Sequence, residues 1–209
     1  IHGGGFNWQQ PDHFRVVYLP RIEVLEECMD KMIEKGIILV PTVNLLTNAS
    51  GNFELGSEEQ IPVRTFAFRQ RDDEGLGSST YTDEELEMYG NAIFANFALA
   101  RKKGVKMAMG SDTVYEPMTP YGEYTMQEFK TLELIGMNTS EIIKAATLTA
   151  AEALGMEHRI GTIEEETLAD MLILTADPTE SAEVLYDASN IKYVIQGGRV
   201  VVEDGSIKY

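Results

Sequence analysis

The sequence predicts an α/β protein, with parallel β/α units in its middle and a small β element at its end. Two apolar runs without alternation, Ile37–Val40 and Val105–Met109, read as strands buried on both faces, the pattern of a parallel sheet. Each follows a helix-period segment closed by a glycine, and strands alternating with helices imply right-handed β/α crossovers. After His158 the helical period gives way to short β-rich runs.

Residues 1–21 show no period; Gly3-Gly4-Gly5, two prolines and scattered aromatics read as a turn and an irregular arm. From Ile22, Leu25, Cys28, Met29, Met32 and Ile33 recur at helical spacing until Gly36, which places Cys28 in the core rather than as a nucleophile. Residues 44–81, rich in Gly, Ser, Asn and charge, form a long loop: a lid or binding loop, or a plain surface excursion. Thr82 and Glu85 then make a capping-box signature, and Leu86, Tyr89, Ile93, Phe97 and Ala100 carry one apolar face to Gly104. Two more helices are expected, Glu123–Ile135 before Gly136 and Ser140–Leu154 before Gly155, the second capped by Asn138 and Glu141. The tail holds four runs, Thr162–Ile163, Leu168–Thr175, Ile191–Ile195 and Arg199–Glu203, the last two joined by a Gly197-Gly198 hairpin turn. Most of the ten methionines fall at helix-face or strand positions and read as packing.

The chain has 209 residues, 44% of them hydrophobic, enough for one substantial core or two small ones. Seventeen basic against 34 acidic residues give a net charge of −17, which argues against nucleic acid and anionic membrane surfaces as partners. A lone cysteine, Cys28, makes no internal disulfide and points to a reducing, cytoplasmic setting. No run approaches the roughly 20 apolar residues of a membrane span, and the opening residues show no signal-peptide pattern.

The sharpest chemical signal is Met107-Ala-Met-Gly-Ser-Asp112, where a buried strand delivers a carboxylate after a small-residue turn. Reactive groups gather at the C-terminal ends of parallel strands, so Asp112 suits a catalyst or metal ligand, and equally a cap for the next segment. His2 beside three glycines is a lone candidate ligand, whereas metal sites need three or four converging donors. His13 and His158 read as solvated. No zinc, thiol, nucleophile-elbow or nucleotide-binding motif is present.

Four stretches in order carry a resemblance: 32–42 ending Leu39-Val-Pro-Thr42, 103–113 around Met109-Gly-Ser-Asp112, 142–155 with Ala145-Ala-Thr147, and Arg159-Ile-Gly-Thr-Ile-Glu with Leu168-Ala-Asp170. With the closing 194–201 hairpin they resemble the C-terminal part of the amidohydrolase superfamily, in its prolidase-like and imidazolonepropionase-like branch. The resemblance implies a metal-dependent hydrolase of C–N bonds in a small amide, cyclic amide or dipeptide. Its fold would be the C-terminal part of a (β/α)8 TIM-like barrel plus part of a small β-sandwich built from both chain ends. Residues 1–158 would hold the last barrel units, with 37–42 and 105–111 as the seventh and eighth strands, and 159–209 the sandwich strands.

Asp112 would then bind the divalent metal, zinc or another ion, one or two in number, and exchange a proton with the attacking water. Ile1-His2-Gly3 would be the remnant of a sixth-strand histidine site, though it lacks the Glu of the family's Glu-His-Gly context. The family's remaining histidines and its bridging carboxylated lysine have no counterpart in these residues. Arg64, Arg69 and Arg71 in the long loop are candidates to meet a carboxylate of the small-molecule substrate, since guanidinium forks pair well with it. A whole barrel takes about 250 residues. A partial one leaves strand edges open, so self-association or pairing with a missing N-terminal half is expected. The alternative is a non-catalytic structural or interaction fragment with an incomplete metal site.

Overall fold

A computed structural model describes residues 22–42, 94–111 and 122–208. The long loop and the Thr82/Glu85 cap lie outside these residues. Helix α1 spans Ile22–Lys35, and residues 94–103 are helical and form α2. Helices α3 (Glu123–Leu134), α4 (Thr139–Ala146) and α5 (Leu148–Ala153) follow. Strands β1 (Met171–Leu174), β2 (Ile191–Gln196), β3 (Arg199–Glu203) and β4 (Ser206–Ile207) form the tail.

Four helices end in the same way. The amides of Gly36, Gly104, Gly136 and Gly155 bond three residues back, and those of the next residue reach five back, as Val105 does to the Ala100 carbonyl at 3.0 Å. This closure needs a left-handed residue, and Gly104 takes it at φ +92° without the clash a Cβ brings. At Gly36 and Gly104 the chain passes straight into an extended segment, so the stop signal also launches the strand.

Between these helices and the extended segments lies one apolar core containing Leu25, Met29, Phe94, Phe97, Leu132 and Ile142. Among the residues of α1 whose side chains are described, Leu25 and Met29 are the buried ones, with Met32 packed against the core. Cys28 is exposed, which corrects its reading as a core residue, and Ile33 is exposed as well. At 3.6 residues per turn both lie roughly 70° off the centre of the buried stripe, which is too far round to touch the neighbouring helices. The 37–40 run is likewise less enclosed than expected: Ile37 to Leu39 are half-buried and Val40 is exposed.

The expected single helix over 140–154 is broken at Thr147, whose φ −122° and ψ −92° leave the helical region. Thr147 Oγ1 donates to the Ile143 carbonyl at 2.7 Å, the back-bond by which threonine competes with the helix ladder. The break frees the Ala145 carbonyl, which accepts the Met109 amide at 2.9 Å. Gly161, at φ +93°, packs on the same break: a Cβ there would lie 2.9 Å from Leu148 Cα and 3.0 Å from the Thr147 carbonyl oxygen. The Asn138/Glu141 capping box forms as expected, and Arg101 of α2 joins it through a 2.7 Å bond to Glu141.

The tail is a four-stranded antiparallel sheet in the order β1-β2-β3-β4. Gly197 and Gly198 make the expected two-residue turn, gripped by Asp170 Oδ1, which accepts the Gly197 amide at 2.6 Å. A second such turn at Asp204-Gly205 adds β4, which the sequence pattern did not reveal. Thr162–Ile163 forms no strand, and Ile163 is 87% exposed, because the chain there turns to seat Gly161. A 3₁₀ turn over Ala182–Leu185 pins the tail to α3: Ala182 is buried, the Tyr186 hydroxyl donates to Glu133, and Lys130 Nζ lies 5.6 Å from the Tyr186 ring. Burial and the Glu133 carboxylate push the Tyr186 hydroxyl pKa well up, keeping it a neutral donor.

Gly161→Ala should lower stability by about 1–3 kcal/mol, since both backbone conformation and space oppose a Cβ; urea denaturation measures it. Burial raises the Glu141 pKa, but the bonds from Arg101 and the Asn138 amide outweigh it and hold the carboxyl below its ordinary value. A depressed folded pKa gives stability that is present above the unfolded value and lost as pH falls through the folded one. The urea midpoint should therefore drop below about pH 4.3, and Glu141→Gln should flatten that drop.

Candidate functional site

The two extended segments run side by side and parallel, joined at Leu39 and Met107. Leu39 donates to the Lys106 carbonyl and accepts from the Ala108 amide, both at 2.9 Å. This pairing sets the register: three residues further on, Thr42 stands level with Gly110. Side chains alternate along a strand. Leu39, Met107 and Met109 pack into the helical core, so Val40, Ala108 and Gly110 belong to the opposite face.

At the tips the two segments press together. A Cβ on Gly110 would meet Val40 Cγ1 at 2.5 Å and Thr42 Cγ2 at 3.6 Å, so the glycine is what lets the tips approach. Thr42 itself sits at φ +47°. That region is strained for a β-branched residue, at a cost of about 1–3 kcal/mol, and such strain tends to collect at functional sites. Nothing in Val40-Pro-Thr42 announces it, because positive φ leaves a sequence signature only where glycine or asparagine supplies it.

Ser111 is the last described residue of its segment, and Asp112 is the next along the chain. His2, Arg64, Arg69, Arg71 and Asp112 all lie outside the described residues. Among the described residues no three His, Cys, Asp or Glu side chains group to hold a metal ion, and no helix is long and apolar enough to cross a membrane. His158 is exposed, as expected. One titratable group escaped the sequence reading: Glu128 on α3 is fully buried and partnered. It lies one helical turn before buried Leu132, on a face whose charged residue reads as solvated in a helix pattern.

Among proteins of known activity, 120 residues are 32% identical to the imidazolonepropionase of Symbiobacterium thermophilum, covering 56% of this chain and 28% of that protein. A longer match, 28% identical over 178 residues, links 84% of the chain to 31% of Aspergillus niger ochratoxinase. A 32-residue match is 56% identical to the glutamate-pyruvate aminotransferase AlaA of Haemophilus influenzae, covering 15% of this chain and 8% of that protein. Among solved structures, A. niger ochratoxinase superimposes with a TM-score of 0.62 at 26% identity, covering 86% of this chain and 35% of that one. A Xaa-Pro dipeptidase with bound methionine in the active site gives a TM-score of 0.59 at 26% identity, covering 85% and 37%. The chain thus spans about a third of the length of these hydrolase relatives. Residues 61–202 match the amidohydrolase family model, a span that includes Arg64, Arg69, Arg71 and Asp112 but not His2. An α/β chain with parallel strand tips, matched by that model over most of its length, belongs to the amidohydrolase family.

Proposed function

We propose that this chain forms the C-terminal part of a metal-dependent hydrolase that cleaves a C–N bond in a small amide, cyclic amide or dipeptide. The observation that carries it is the parallel pair of strand tips, Thr42 beside Gly110, the second leading into Asp112 within the span that the family model matches. In this reading 37–42 and 105–111 are the last two strands of a (β/α)8 barrel. Residues up to 158 complete its helices, and the β1–β4 sheet is half of a small sandwich.

Asp112 is the chain's own contribution to the chemistry. Its carboxylate would ligate the cation and take a proton from the attacking water, passing it to the leaving nitrogen. A divalent ion, zinc by preference, supplies a more acidic water and a polarised carbonyl when bound. A catalytic site needs about three protein ligands, and among the described residues no such group is found. The remaining ligands would come from outside this stretch, with His2 resting on Ile1-His2-Gly3 alone. Arg64, Arg69 and Arg71 are proposed to face a substrate carboxylate.

A second reading is a non-catalytic structural or interaction fragment with an incomplete metal site. Metal analysis separates the two. Near-stoichiometric zinc, manganese or iron with hydrolysis of N-acyl amino acids or dipeptides supports the enzyme. Asp112→Ala should then lower both metal content and kcat by 100-fold or more, and retention of both would refute this role. No strand of the tail sheet holds a fully buried residue, and Leu172 (55% exposed), Val194, Val202 and Ile207 (66% exposed) line one apolar row across it. The isolated chain is expected to self-associate or pair with its N-terminal half, and light scattering that shows a stable 209-residue monomer would contradict this.

A further inference from the structure

We draw no further inference here: the strongest candidate, the apolar row of Leu172, Val194, Val202 and Ile207 across one face of the tail sheet, carries nothing because nothing in the structure shows what covers it.

Discussion

The Ala145 carbonyl ties the extended segment that ends at Ser111 to the broken helix beside it. In an uninterrupted helix it would accept the Thr149 amide, and the strand beside it would be left with a donor at its edge. The break at Thr147 hands that carbonyl to Met109 instead, at 2.9 Å. A single such bond is worth about 1 kcal/mol net, but a buried amide left unmade costs up to about 3, so the asymmetry favours the broken helix. The same break opens the seat into which Gly161 packs, so strand, helix and the chain's turn toward the tail sheet meet at one irregular residue.

Around that junction the remaining ties are modest individually and share one corner. Lys103 reaches Asp30 of α1, Arg101 reaches Glu141 of α4, and Lys106 reaches Glu152 of α5. In a chain with twice as many acidic as basic residues, this short basic run joins three acidic neighbours. Partly exposed pairs of this kind add little stability each, yet they favour one arrangement of the helices over others. Apolar contact among Phe94, Phe97, Leu132 and Ile142 supplies the larger share.

The tail depends on different physics. Its hairpins are set by two-residue turns, local in register, and by Asp170, 27 residues upstream, gripping the Gly197 amide. Its attachment runs through Ala182, Leu185 and Tyr186 against α3. The sheet itself stays half-covered, in keeping with a chain that spans about a third of its hydrolase relatives. A sheet buries its faces only against another layer.

Sequence by itself determined the features whose cause is local. Gly36, Gly104, Gly136 and Gly155 stop helices because only a residue without Cβ closes them cheaply; Asn138 with Glu141 caps; Gly197-Gly198 turns; and the ordered motifs carried the family. Tertiary structure alone decided which edge of an apolar stripe meets solvent, as at Cys28 and Ile33, and that the 140–154 helix breaks where a strand amide needs a carbonyl. It also decided that Thr42 takes a left-handed backbone beside Gly110. Each of these depends on a partner distant along the chain, and periodicity within a segment holds no record of what that segment will face.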